Sequence, residues 1–366
     1  MSLKAGIIGL PNVGKSTLFN AITNSQVETV NYPFATVIPH LGIVEVPDHR
    51  LDKLTEMFKP ERRVPAIFEV SDIAGLVAGS SKGEGLGNQF LAHIREVDAI
   101  IHIVRCFEDE NVIHVTGDIN PIRDIEIVKL ELILADLQSI ENRITKVERK
   151  AKSQEKEAVA EFSCLTKIKE TLQQGNPASS VDLSKDARNI IKHFSLLTMK
   201  PVIYVANMGE KDIATYQNNK HYQAVAQLAE SEAYPCIAIA ARIEEELAGL
   251  DAETQEEFRR DLGISESNFD KIIRATYQLL GLSTFFTVGG PETRAWTFIQ
   301  GMKAPSCAGV IHSDFEKGFI KAEVYSYDDL MLCGSETAVK EKGLLRLEGK
   351  EYLVKDGDIV HFRFNI

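Results

Sequence analysis

Apolar residues come in short runs along this chain, each closed by glycine or polar residues. The runs at 5–8, 66–70, 99–104, 201–206 and 236–240 are brief and rich in Val, Ile and Ala. That pattern predicts strands covered on both faces. Between some of them, 17–22, 88–96 and 224–232 have helical patterns. Strand alternating with helix predicts an α/β fold, a mostly parallel sheet with helices on both faces. In such sheets ligands gather at the carboxyl ends of the strands.

Two stretches break this rhythm. Leu130, Ile133, Leu137, Ile140, Ile144 and Val147 recur at alternating steps of three and four, the seam of a coiled coil. A glycine-proline-serine stretch at 175–180 interrupts it, and a further helix is expected over 190–197. The expectation is an antiparallel helical hairpin inserted into the α/β domain. Lys146, Arg149, Lys150, Lys152 and Lys156 gather near its tip, interleaved with Glu148, Glu155 and Glu157. Such a cluster reads either as a solvated helix face or as an RNA contact. From about 283 onward the pattern turns β-rich, with strands expected at 296–300, 318–324 and 359–364. Lys355-Asp356-Gly357-Asp358 is a turn signal before the last of them. The expected division is a nucleotide domain over 1–123 and 200–282, the hairpin over 124–199, and a compact mixed domain over 283–366.

Composition narrows the class. The 366 residues are 44% hydrophobic and 26% charged, as in ordinary globular proteins. No apolar stretch approaches the roughly 20 residues that cross a bilayer, so no membrane partner is expected. A cleaved leader would remove the glycine-rich loop described next, which points to the cytoplasm. Five scattered cysteines without a Cys-x-x-Cys pair argue for reduced thiols, not a zinc ribbon or disulfide framework. A net charge of −12 argues against coating nucleic acid through the overall field. Any such surface must be local and salt-sensitive, and Lys303, Lys317 and Lys321 are compatible with one in the last domain.

The nonapeptide GLPNVGKST, Gly9 to Thr17, carries the clearest chemistry. It fits the phosphate-loop pattern G-x-x-x-x-G-K-[ST] between an expected strand and an expected helix. Glycines let the backbone approach phosphate, and the amides of Asn12, Val13, Gly14, Lys15, Ser16 and Thr17 would line the anion at a helix N-terminus. Lys15 would reach the β- and γ-phosphates as a catalytic cation, and the Ser16 hydroxyl would ligate Mg²⁺. Asp72-Ile73-Ala74-Gly75 follows the second expected strand, placing Asp72 toward the metal and the Gly75 amide toward the γ-phosphate. Thr36, in Asn31-Tyr32-Pro33-Phe34-Ala35-Thr36, is placed to complete the metal shell. Asn207-Met208-Gly209-Glu210 takes the position of a base-reading loop. Guanine readers use N-K-x-D, and here Met208 and Glu210 stand in place of the lysine and the aspartate. A longer carboxylate cannot hold the same bidentate bond without displacing the base, so the pocket is relaxed or adenine-directed, unless Glu210 still accepts from guanine.

With GLPNVGKST, NYPFAT at 31–36, DIAGLV at 72–77, KGEGLGNQFL at 82–91, NMGE at 207–210 and HSDFEKGFI at 312–320, the chain resembles the Obg-like ATPases. These belong to the translation-factor class of P-loop proteins, and the resemblance covers nearly the whole length. It implies an ATPase using ATP and Mg²⁺, with Asn207, Met208 and Glu210 around the base and Ala240 and Ala241 at a backbone contact to it. It implies a C-terminal TGS domain of β-grasp fold, binding to the 70S ribosome and its 50S subunit, and a role in translation or stress. It also implies a catalytic histidine at His114; His93 and Arg95 of the switch helix are lesser candidates, and an activating partner that supplies a residue or orders the switch loops is an equal alternative. Leu76 occupies the place of the water-orienting glutamine of many GTPases and has no polar group, so slow hydrolysis is expected. Three readings stay open: an ATP-driven switch, a ribosome- or RNA-binding module with nucleotide as a structural ligand, and a GTPase on the same fold.

Overall fold

The computed structural model describes residues 3–24, 41–73, 86–109, 112, 117–261 and 267–365. They divide into two compact units, Met1–Gly42 with Glu69–Ile272, and Ile43–Phe68 with Ile273–Ile366. The strands are β1 (Lys4–Ile8), β2 (Leu41–Glu45), β3 (Arg62–Val64), β4 (Ile67–Asp72), β5 (Ala99–Arg105), β6 (Val202–Asn207), β7 (Cys236–Ile239), β8 (Leu282–Thr287), β9 (Glu292–Ile299), β10 (Phe319–Ser326), β11 (Arg346–Glu348) and β12 (Asp358–Phe364). The first helices are α1 (Lys15–Asn24), α2 (His49–Phe58), α3 (Leu86–Glu96), α4 (Pro121–Lys152), α5 (Lys156–Gln173) and α6 (Lys185–Ile191). They are followed by α7 (Lys220–Ser231), α8 (Ala241–Leu247), α9 (Ala252–Asp261), α10 (Asn268–Leu279) and α11 (Ala304–Ile311).

The first sheet is ordered β2-β4-β1-β5-β6-β7. From β4 through β7 every neighbouring pair is parallel, as strands joined by helical crossovers must be. All five strands expected from the apolar runs form, with ends shifted by one or two residues. β5 is buried at every position, including His102 and Arg105. Val104, Tyr204, Ala206, Ala238 and Val225 close one part of the core around β5, β6, β7 and α7.

The helical hairpin begins where Asn120 caps α4, its side chain accepting from the Arg123 amide, with Pro121 in the first turn. Ile133, Ile140 and Val147 of the expected seam are buried, and Leu165, Ile168 and Leu172 of α5 are buried with them. Leu130 departs from the seam and is 53% exposed. Arg143–Glu161 at 2.5 Å and Lys169–Glu141 at 3.1 Å fix an antiparallel pairing. The five basic residues expected at the tip do flank its turn and are exposed. The helix expected over 190–197 does not form. The α-helix ends at Ile191, and Ser195 takes a left-handed conformation with φ 47°. Buried Asp136 of α4 explains the bend. Its carboxylate accepts the Leu197 and Thr198 amides at 2.9 and 2.8 Å and the Thr198 hydroxyl at 2.7 Å. Continuing the helix would commit those amides to its own carbonyls.

The second unit is a sheet ordered β11-β10-β12-β8-β9-β3. β8 and β9 form an antiparallel hairpin, β12 lies parallel to β8, and β10 runs antiparallel to β12. Phe285, Phe298, Phe319 and Phe362 form its core with Ala304 and Ala308 of α11. Strands expected at 296–300, 318–324 and 359–364 form as β9, β10 and β12. The expected turn holds too. Gly357 has φ 83°, and Asp356 accepts from the Thr284 amide at 2.8 Å and from Arg50 at 2.7 Å. Unexpected is β3, which pairs in parallel with β9 and so brings a segment from the first quarter of the chain into this sheet.

His102 in the centre of β5 links this core to pH. Burial pushes its imidazole down to about 3, with the cations of Lys129 and Lys15 adding to the shift. The folded chain therefore keeps it neutral while the unfolded chain takes up a proton below the ordinary value of 6.5. The stability it contributes is present above 6.5 and is lost as pH falls toward 3. Urea unfolding of His102→Gln should lose about 2 kcal/mol less than the parent between pH 6.5 and 5, at ~1.4 kcal/mol per pH unit.

Candidate nucleotide site

The parallel register of β1 and β4 sets Asp72 opposite Ile7, beside the start of the glycine-rich loop. The loop is closed tightly on both sides. A Cβ on Gly9 would lie 2.5 Å from the Ile103 carbonyl oxygen, and one on Gly14 would lie 2.4 Å from Asn207 Nδ2. Gly14 also has φ 97°, a conformation that side chains strain. Asn12 adopts φ 60°, and Val13 is buried with its carbonyl turned to Asn207. α1 opens directly from this loop, so its first amides and its positive end face the concavity.

Lys15 is the first residue of α1 and is 8% exposed. Its ammonium spans the loop and donates to the Leu10 carbonyl at 2.8 Å. Burial lowers its pKa, and the nearby Asp72 carboxylate opposes that shift. The Ser16 hydroxyl donates to Asp72 Oδ2 at 3.3 Å, which brings two of the expected metal-ligating residues together. Thr17 follows in the first turn of the helix.

Asn207 closes β6 and is 5% exposed. Its Nδ2 donates to the Val13 carbonyl at 2.9 Å, and its Oδ1 accepts from the Ala241 amide at 3.0 Å. One carboxamide thus joins the phosphate loop to the β7–α8 turn. Ala240 and Ala241 in that turn are both buried. The Met208 amide donates to the Ile239 carbonyl at 2.7 Å. Its side chain is 3% exposed and packs in the core with Cys106, Ile213 and Ile243, so it backs the loop from below. Glu210 stands apart on the surface, half exposed, with Arg242 3.4 Å away. Thr36, Gly75, Leu76 and His114 lie outside the described residues. His93 is exposed on α3, and the Arg95 guanidinium donates to Ser139 of α4 at 3.3 Å.

Two arginines escaped the sequence reading. Arg105, at 1% exposure, donates to the carbonyls of Phe107, Asp109 and Val112 at 3.2, 3.2 and 2.9 Å. It also lies 4.5 Å from the Phe107 ring centre. It therefore shapes the segment that leads toward His114. The signal was an arginine closing an otherwise apolar strand, a cost that only full hydrogen bonding offsets. Arg242 carried no comparable signal, because its meeting with Glu210 comes from the register of β6 and β7.

Replacing Asn207 by Ala removes an acceptor and a donor from buried backbone groups. Urea unfolding should show a loss of about 3 kcal/mol, with Asn207→Asp, which keeps the bond from Ala241, losing about half as much.

A family model described as "50S ribosome-binding GTPase" matches residues 4–208. A second, YchF-GTPase_C, described as "Protein of unknown function (DUF933)", matches residues 282–365. The chain is 54% identical over 366 residues to "Ribosome-binding ATPase YchF" of Bacillus subtilis, covering 100% of both chains. It is 48% identical to the protein of the same name from Escherichia coli O157:H7, again over 100% of both. Among solved structures, the "Schizosaccharomyces pombe YchF GTPase" matches with a TM-score of 0.90 and 41% identity, covering 99% of this chain and 98% of that one. Full-length identity of this order, on a P-loop sheet joined to a matching C-terminal module, leaves one assignment: the chain belongs to the YchF family of P-loop proteins.

Proposed function

We propose that this protein binds and slowly hydrolyses ATP as a switch that acts on the ribosome. The observation that carries this reading is the base loop. Asn207 is held in place by two buried hydrogen bonds, while the acidic residue of the loop is a glutamate, Glu210, and not the aspartate that pairs with guanine. The printed names of the bacterial relatives, ribosome-binding ATPases, point the same way.

The phosphates would lie in the loop, with the amides of Asn12, Val13, Gly14, Lys15, Ser16 and Thr17 around them and Lys15 as the charge-stabilising cation. Magnesium keeps most of its water and takes few protein oxygens, and a serine hydroxyl beside an aspartate fits that donor set. Ser16 and Asp72, with Thr36, would hold the ion, which supplies charge neutralisation on the phosphates when bound. The Gly75 amide would sense the γ-phosphate. Asn207, Ala240, Ala241 and Glu210 would surround the base, with Met208 behind them. His114 would order the attacking water, in the absence of a polar group at Leu76. Slow turnover follows, because the remaining catalysis rests on electrostatics alone.

The partner would be the 70S ribosome through its 50S subunit, in the cytoplasm. The exposed basic residues at the hairpin tip and the lysines of the second unit are the expected RNA contacts, and the function lies in translation or its response to stress. Among the described residues no helix is long and apolar enough to cross a membrane.

The S. pombe relative is named a GTPase, which makes base choice the deciding measurement. Fluorescent ATP and GTP analogues, each competed with the other unlabelled nucleotide, should show ATP preferred. Glu210→Asp should narrow that preference by about tenfold, ~1.4 kcal/mol. A GTP preference in the parent protein would make it a GTPase with an altered base loop. Switching has its own test. Co-sedimentation with 70S ribosomes should differ at least about fivefold between ATP- and ADP-bound protein, whereas equal affinity would reduce the nucleotide to a structural ligand.

A further inference from the structure

A cavity of about 830 Å³ lies in the first unit between the sheet and α4, with Ile8, the residue before the glycine-rich loop, in its lining. Ile100 and His102 of β5 and Tyr204 of β6 line it from the sheet, and Lys129, Leu130 and Leu132 line it from α4. Its size falls within the range of about 300–1,000 Å³ typical of small-molecule sites, and its lining is mostly apolar with a few convergent polar groups.

Those polar groups are unequal. Lys129 and the Tyr204 hydroxyl both meet Glu232, the hydroxyl donating at 2.8 Å, so cation, carboxylate and phenol satisfy one another. Lys200, at another edge, donates to the carbonyls of Arg95 and Val97. His102 is different. It is 4% exposed, and among the described residues neither ring nitrogen has a hydrogen-bond partner. Its nearest ring is that of Tyr204, at 5.6 Å and tilted 42°. With no protein partner and with His102 in the cavity lining, the ring nitrogens are open to bonding by an occupant.

The occupant's chemistry follows from the lining. The lysine charge is already matched by Glu232, and burial keeps the imidazole neutral, with one donor and one acceptor. Apart from exposed Glu126, a cation would find no free counter-charge, and an anion would find only Lys200, already held by two carbonyls. The two rings and the leucines offer flat, apolar contact. We propose that this cavity is a second ligand site, taking an uncharged planar heteroaromatic molecule whose polar edge bonds to His102 and whose faces lie against Tyr204 and Leu132. The proposal stands whichever nucleotide the phosphate loop takes.

The test uses the full chain saturated with ADP and Mg²⁺, so that the nucleotide site is closed to the probes. Adenine, benzimidazole and 7-azaindole are titrated by saturation-transfer NMR and calorimetry. At least one should bind with Kd below about 1 mM. His102→Leu should weaken it at least about tenfold, and Leu132→Trp, which fills the cavity, should abolish it. Leu130→Trp at the exposed mouth gives a second way to close the cavity without touching the core, should the Leu132 variant fail to fold. ADP affinity and thermal melting of each variant report whether the fold is kept. The proposal is overturned if none of the three probes binds, which would leave the cavity to water, or if binding survives in the folded cavity-closing variants.

Discussion

The Asn207 carboxamide is the joint on which the candidate site depends. It bonds to a carbonyl 194 residues away and to an amide 34 residues away, and both groups are buried. Its position is set by β6, which lies between β5 and β7 and runs parallel to both. Two loops that would each move freely are thereby tied into one piece. Gly14 is part of the same arrangement, because any side chain there would collide with the carboxamide. The glycine-rich loop and the Asn207–Glu210 loop thus share one hydrogen-bonded unit.

Much of this was readable in the residues. Buried parallel strands announce themselves as uninterrupted apolar runs, and the glycine-rich loop needs its glycines for steric reasons that survive any context. Local signals fared less well where distant groups compete. The helical pattern over 190–197 is sound by propensity, yet Asp136 captures the Leu197 and Thr198 amides from more than 60 residues away. The seam at Leu130 has the right spacing, but there α4 buries Val128, Glu131 and Leu132 instead, which leaves Leu130 53% exposed. β3 is three residues long and carries two arginines, which gave it no apolar signature. Its strand character comes from pairing with β9, and no local pattern contains that.

The candidate site divides along the same line. Its backbone elements are legible because phosphate binding demands particular residue types at fixed spacing. The side chains that brace it are legible only through space. Met208 looks like a base contact by alignment with N-K-x-D, and the fold turns it inward, since a thioether gains more by joining Cys106 and Ile243 in the core. Arg105 looks like a strand end, and the fold makes it the organiser of the following loop.

The pairing of β3 with β9 also orders events in time. The segment Ile43–Phe68 belongs to a unit whose remainder begins only at Ile273. During synthesis, Arg62–Val64 leave the peptidyl-transfer site about 230 residues before the partner strand exists, an interval of roughly 10–50 s at usual elongation rates. Through that interval the apolar face of α2, with Leu51 and Leu54, lacks most of the unit it folds into. The first unit is interrupted by this segment, so its outer strands must close around a stretch that is still waiting. The nascent chain therefore carries α2 and β3 without their partners until the C-terminal strands are made.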